Sequence, residues 1–182
     1  MRIASLPLAG LFSLPGLLAA ALFAAALLAA SGLPAAAEKQ ITGPVTGLPL
    51  PRFVSLEPDT VNVRRGPSRE HQVEWVYKRR GLPVEIIAEF DRWRRIRDVS
   101  GDTGWVYHSL LAGERTVLIT GREEIPLYEE PQGGSIVALA EPGVVARLET
   151  CRSRQCQITV KGHTGWAARP SLWGVYPGEM GD

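Results

Sequence analysis

The sequence predicts an all-β protein made of two tandem small β-barrels behind an N-terminal export segment. Three observations predict it: a long, almost uncharged apolar run at the start, a short-strand texture after residue 51, and an internal repeat of about 60 residues.

The export segment comes first. Met1 to Ala37 holds one charged residue, Arg2, then a Leu/Ala/Phe-rich run through Ala30 and the small-residue stretch Pro34-Ala35-Ala36-Ala37. That is the order of a secretory signal peptide. Ala35 and Ala37 offer the small side chains that a signal peptidase accepts, and Pro34 ends the apolar helix, so cleavage is expected between Ala37 and Glu38. The alternative is an uncleaved anchor, since a bilayer span takes about 20 apolar residues; it is the only membrane contact foreseen. The first cysteine is Cys151, which excludes a lipid-modified N-terminal cysteine. A periplasmic or secreted location follows.

The 182 residues carry 20 basic and 19 acidic side chains, and removing Arg2 with the leader leaves the remainder neutral. A nucleic-acid binder normally shows a basic excess, so nucleic acid is not expected as a partner. Cys151 and Cys156 lie close together, and in an oxidising compartment a disulfide is the expectation. The alternative is a zinc site with His163, but a closed site needs four ligands and no further histidine or cysteine is near in sequence. No metal and no cofactor is expected.

Residues 38–51 are rich in Gly, Pro and Thr. Pro44, Pro49 and Pro51 are expected to interrupt pairing, so this stretch reads as an extended leader and spacer. Beyond it, β-branched and aromatic runs alternate with Gly, Pro, Asp and Ser, and no segment has a helical period. Repeat one is assigned to 52–112, repeat two to 113–176 and a tail to 177–182.

The repeat rests on ordered matches. Thr103-Gly104-Trp105 returns as Thr164-Gly165-Trp166, and Ser109-Leu110 as Ser171-Leu172. In the same register Leu82 to Phe90 answers Val144 to Thr150, and Trp93-Arg94-Arg95-Ile96 falls on Gln155-Cys156-Gln157-Ile158. Val61 to Pro67 is matched by Ile125 to Pro131. Units of this size, made of short strands, bury their edges well as closed or nearly closed barrels.

Within repeat one, alternation places Val84, Ile86, Ala88 and Phe90 on the inward face of a strand, with Glu85 and Glu89 outward. In the next strand, burying Ile96 turns Trp93 to the opposite face. In the strand after it, Val106 points inward while Trp105 and Tyr107 point outward together. Cys151 and Cys156 flank the tip of the corresponding hairpin in repeat two, where a bridge fixes a small loop rather than joining distant parts.

Val61-Asn62-Val63-Arg64-Arg65-Gly66-Pro67-Ser68, Trp93-Arg94-Arg95-Ile96 and Thr103-Gly104-Trp105-Val106 together resemble the opening strand and loop, the "W-x-K-V" strand and the "G-W-V" strand of the bacterial SH3-like family. The resemblance covers Arg52 to about Tyr176 and extends to exported alphaproteobacterial proteins with two such units. It implies two SH3-like barrels that recognise rather than catalyse, with peptidoglycan or an envelope protein as partner. Repeat two departs from the pattern at Tyr128-Glu129-Glu130-Pro131 and at Gln155, which stands where Trp93 does.

The candidate ligand-binding residues are therefore Arg64, Arg65, Trp75, Tyr77, Trp93, Arg95, Trp105 and Tyr107 of repeat one. Aromatic faces stack on sugar rings or peptide side chains, and guanidinium groups pair with carboxylates. The alternative is that the tryptophans close the barrel and the arginines form a solvated face. Trp93, Trp105 and Tyr107 are expected to line one groove. Lys78-Arg79-Arg80 reads as a solvated loop. Glu123-Glu124 and Glu129-Glu130 read as an acidic face able to meet the basic face of repeat one and pack the barrels together.

No catalytic residues are expected. His71, His108 and His163 are scattered, neither a metalloprotease His-Glu-x-x-His nor a Gly-x-Ser-x-Gly turn occurs, and both cysteines are committed to one bridge. The expectation is a binding module for a cell-wall component or wall-associated protein. The alternative is an envelope protein that binds another polypeptide, such as a hydrolase or transporter, without touching glycan.

Overall fold

A computed structural model describes residues 41–152 and 154–179, all within one compact unit, Gln40–Asp182. The export segment and the expected cleavage at Ala37 and Glu38 lie outside the described residues. Strands β1 (Ile41–Thr42) and β2 (Pro49–Leu50) pair as a small ribbon. Next come β3 (Arg52–Leu56), β4 (Val61–Arg64), β5 (Val73–Tyr77), β6 (Pro83–Phe90), β7 (Trp93–Arg97), β8 (Thr103–Tyr107) and β9 (Leu111–Ala112). They form one antiparallel sheet in the order β5-β4-β8-β7-β6-β3-β9. The second sheet holds β10 (Thr116–Ile119), β11 (Ile125–Glu130), β12 (Gly133–Ala140), β13 (Val145–Arg152), β14 (Gln155–Val160), β15 (His163–Ala168) and β16 (Leu172–Trp173). Its order is β12-β11-β15-β14-β13-β10-β16, which is the first order repeated strand for strand. A single 3₁₀ turn precedes the last strand of each sheet, at His108–Leu110 and Arg169–Ser171.

Each sheet curls around its own core. Leu56, Val61, Val63, Val84, Ile86, Ile96 and Val106 fill the first, and Val117, Ile119, Leu127, Leu148, Ile158 and Leu172 fill the second. These are the inward positions of alternating strands, as a sheet closed on one apolar face requires.

The repeat is exact at the level of register. In β6–β7, Ile86 pairs with Ile96, Ala88 with Arg95 and Glu89 with Arg94; in β13–β14, Leu148 pairs with Ile158, Thr150 with Gln157 and Cys151 with Cys156. Both hairpins carry a bulge at the same place, between Ile86 and Ala88 and between Leu148 and Thr150. A bulge inserts one residue and reverses the faces beyond it. The expected inward row therefore holds for Val84 and Ile86 but fails at Phe90, which is 59% exposed, while Glu89 turns in and is 7% exposed. Alternation holds only as far as the bulge.

Gly104 and Gly165 show why the Gly-Trp pair recurs. A Cβ on Gly104 would stand 2.4 Å from Val63 Cγ1 and 3.1 Å from Trp75 Cη2, and one on Gly165 would stand 2.9 Å from Leu127 Cβ. Strands β8 and β15 cross β4 and β11 too closely for any side chain there, and this crossing closes each barrel.

The leader is not a free spacer. Its ribbon seats Leu50 against the first core, and the Val45 and Thr46 amides donate to Glu89 Oε2 at 3.1 and 2.9 Å. Thr46 Oγ1 donates to Oε1 at 2.7 Å. The ribbon has only two short strands and an unpaired outer edge, so Pro49 costs it no necessary hydrogen bond.

The barrels pack as a pair, but not through the glutamates proposed for that role. Glu123, Glu124, Glu129 and Glu130 are exposed. The contact is aromatic: Phe53 lies edge-on to Trp173 at 5.2 Å and against Tyr176 at 4.6 Å. Hydrogen bonds flank it, from Tyr176 Oη to Glu85 Oε1 at 2.6 Å and from Thr116 Oγ1 to the Gly81 carbonyl at 2.7 Å. Glu85 is thus an outward residue of the first barrel that the second barrel covers. Burial and the Glu85 carboxylate together push the Tyr176 hydroxyl well above the usual phenol range. Apolar ring area removed from water outweighs what exposed ion pairs would contribute, which is about 1 kcal/mol or less each.

Candidate functional site

Strands β7 and β8 run with Trp93 opposite Tyr107, Arg95 opposite Trp105 and Arg97 opposite Thr103, all on the outer face. Trp93 and Tyr107 meet edge to face, with ring centroids 5.4 Å apart and planes at 80°. This is a favoured arrangement, because the positive edge of one ring meets the negative face of the other. Beside them opens a cleft of about 290 Å³, walled also by Arg64 and Arg69 and rimmed by the polar side chains of Thr60, Asn62 and Ser109.

The loop from Arg65 to Gln72 supplies one wall, and its sequence explains its shape. Arg64 donates to the carbonyls of Arg69 at 3.0 Å and His71 at 2.7 Å, closing the loop from within. Gly66 lies beneath the His71 ring, and a Cβ there would come within 2.4 Å of it. The Arg65 amide donates to the Gln72 carbonyl at 3.1 Å, and the Glu70 amide to Ser68 Oγ at 3.2 Å. The loop so held sets the Arg69 guanidinium over the Tyr107 ring, 5.8 Å from its centroid.

Of the eight residues expected to bind ligand, the structure brings Arg64, Trp93 and Tyr107 to this cleft. Trp93 is 8% exposed, so it supplies mainly an edge and a supporting surface for Tyr107. Trp105 is half-buried on the same face of β8 but does not line the cleft, so the three-aromatic groove reduces to two. Arg95 is exposed and donates to Thr103 Oγ1 at 3.1 Å, and Arg65 forms a surface ion pair with Glu74 at 3.1 Å.

Trp75 and Tyr77 lie elsewhere. They pack against the first core from the inward face of β5, with ring centroids 6.2 Å apart. Tyr77 Oη donates to Asp98 Oδ2 at 2.7 Å, and burial together with that carboxylate raises its pKa far above the usual phenol range. The period of two in β5 sends both rings inward, so they close the barrel and do not line the cleft.

Sequence reasoning missed Thr60, Asn62, Arg69, Ser109 and Leu110. Asn62 was accessible to it, because in β4 Val61 and Val63 are buried and Asn62 must face out. Arg69 had no such signal; only the folded loop carries it to Tyr107.

Repeat two keeps the frame and loses the chemistry. Gln155 opposes Ala168 where Trp93 opposes Tyr107. Its cysteines are joined, with Cys151 and Cys156 directly opposite and both fully buried. With both sulfurs in that bond, neither is a zinc ligand beside His163. Among the described residues no cluster of His, Cys, Asp and Glu is arranged to hold a metal ion.

Two solved structures of similar shape are NlpC2 and NlpC1 from Trichomonas vaginalis. They are 13% and 15% identical, with TM-scores of 0.32 and 0.31. The matches cover 68% and 67% of this chain, and the chain spans only 48% and 45% of those proteins. No curated protein matches in sequence. A family profile described as bacterial SH3 domain matches twice, at residues 57–113 and 121–174, which is one match for each seven-stranded sheet. On two matches that together cover more than half of its length, the chain belongs to the bacterial SH3 domain family as a tandem pair.

Proposed function

We propose that this chain is a non-catalytic exported binding module whose first barrel recognises a cell-wall component, or a protein seated on the wall, through the cleft between Trp93, Tyr107 and the Arg64–Arg69 loop. The observation that carries this reading is the asymmetry of two otherwise equivalent β-hairpins. An aromatic pair beside two arginines stands in repeat one, and Gln155 with Ala168 stands at the same register in repeat two. An aromatic wall with guanidinium donors suits ligands that combine a ring or apolar face with carboxylates, as wall glycan and its stem peptides do.

The non-catalytic reading is supported by where the remaining reactive groups stand. His71 covers Gly66, His108 packs on Tyr107 at 4.9 Å, and His163 begins β15, while the thiols are joined to each other. Export is supported by the leader sequence and by that disulfide, which persists in oxidising compartments.

Co-sedimentation with purified sacculi tests the reading. The wild type is expected in the pellet, with Tyr107→Ala weakened by about tenfold or more, as for an aromatic contact in the cleft wall. Gln155→Ala is expected to pellet like the wild type. A wild type that stays in the supernatant overturns wall recognition and leaves an envelope protein as the partner to capture.

A further inference from the structure

The cleft of repeat one has a counterpart with different chemistry. Gln155 and Ala168, the register equivalents of Trp93 and Tyr107, line a cleft of about 490 Å³ on the second barrel together with Pro131, Pro170, Arg152 and Arg154. Arg152 stands where Phe90 stands in the first hairpin, so a ring has been replaced by a cation at this corner. An adjoining cleft of about 510 Å³ continues past Arg154 toward Val175 and Pro177.

Both arginines are exposed, and among the described residues neither forms an ion pair. Arg152 is held by the Trp166 ring, 5.6 Å from its centroid, which orients a guanidinium without neutralising it. Elsewhere on this barrel Arg147 is paired with Glu149 and Arg115 with Glu179. Arg122 and Lys161 are likewise exposed and in no ion pair among the described residues, but of these cations only Arg152 and Arg154 line this cleft, at the end of β13–β14. The Cys151–Cys156 bond ties the two strands together next to Arg152, which limits the freedom its backbone would lose on holding a ligand. Exposed Glu129 and Glu130 lie on the strand leading into Pro131.

We infer that this second cleft binds an oxyanion, carboxylate or phosphate, borne on an extended chain, with Arg152 and Arg154 as its charge partners and Pro131 and Pro170 as the walls. Planar guanidinium groups match both oxyanions in two-point geometry. The inference does not rest on the role proposed for repeat one, and it is read with small soluble probes rather than by pelleting on sacculi.

The test is titration of the full chain with an oligo-glutamate peptide and, separately, with inorganic tripolyphosphate, at about 0.05 M and about 0.5 M salt. At least one probe is expected to bind at low salt and to weaken at high salt. Arg152→Gln/Arg154→Gln is expected to lose about tenfold or more of that affinity. Lys78→Gln/Arg122→Gln, which removes the same charge from other exposed positions, is expected to bind as the wild type does. Binding of the peptide alone assigns a carboxylate source, and of tripolyphosphate alone a phosphate source. Absence of binding to both probes overturns the inference, as does a double arginine variant that binds like wild type or a control pair that loses as much. All four substituted residues are exposed, and an unchanged urea transition shows that folding is intact.

Discussion

Hairpin β6–β7 of the first barrel and hairpin β13–β14 of the second share bulge and register, yet they bury opposite kinds of chemistry at one matched pair of positions. In the first, Glu89 faces Arg94 across the strands; in the second, Cys151 faces Cys156. The disulfide needs nothing from outside its hairpin. The carboxylate does, because a buried charge must be paired and hydrogen-bonded on every side. Glu89 has a fully buried side chain and accepts from Arg52 at 2.7 Å as well as from Val45 and Thr46, with Arg94 Nε at 3.5 Å. One substitution pattern thus makes a self-contained staple in repeat two and a socket for the leader in repeat one. Gly43 fits the arrangement, since a Cβ there would fall 2.4 Å from Glu89 Oε2.

The largest expected effect follows from removing the socket. Glu89→Gln leaves Arg52 and Arg94 without their carboxylate in a buried place, and a loss of about 3 kcal/mol or more is expected in urea unfolding. Exchange protection of the Val45 and Thr46 amides should collapse with it. A variant that loses stability while those amides stay protected would break the link between Glu89 and the leader.

The matching change in repeat two is smaller. Cys151→Ala/Cys156→Ala opens a loop of only a few residues, and about 2 kcal/mol is expected from loop entropy. The loss should appear in the second barrel, with the leader amides untouched. Equal losses at both barrels would show that the packed interface makes them one cooperative unit.

A titration separates the two hairpins further. Burial alone would raise the Glu89 carboxyl, but the hydroxyl and amide of Thr46, the Arg52 guanidinium and the Val45 amide together hold it at about 2, below its ordinary 4.5. A depressed folded value means that the stabilisation is complete above pH 4.5 and is lost as pH falls toward about 2. Amide exchange at Val45 and Thr46 should accelerate over that window, while protection of the Cys151 and Cys156 amides should follow it less, because the disulfide carries no titrating proton and the carboxyl held low on that hairpin, Glu149 with Thr159 and Arg147, is partly exposed rather than buried. Parallel acid sensitivity at both hairpins would remove the distinction between them.

Much of this comparison was legible in residues that act over short distances. Gly104-Trp105 and Gly165-Trp166 marked the closing strands, the cysteines marked a hairpin tip, and Val61-Asn62-Val63 announced an inward and outward alternation. In the candidate cleft, Arg64, Trp93 and Tyr107 stand together, as three of the eight residues the sequence groups. Trp75 and Tyr77 were grouped with them because composition alone does not distinguish a ring that lids a core from one that lines a surface. Arg69 was passed over because its place above Tyr107 depends on two carbonyl contacts made by Arg64.

The sequence by itself determined two barrels, the repeat of their strand motifs and the inequality of their outer faces, because alternation, turn residues and repeats are written within a few positions of one another. The tertiary structure decided which way each strand faces beyond the bulge, that Glu85 is covered although it points out of its own barrel, and that the leader is clamped. Those outcomes depend on contacts between residues far apart in the chain, such as Tyr176 with Glu85 across 91 positions and Thr46 with Glu89 across 43. A local pattern cannot encode a burial that another domain or a returning segment supplies.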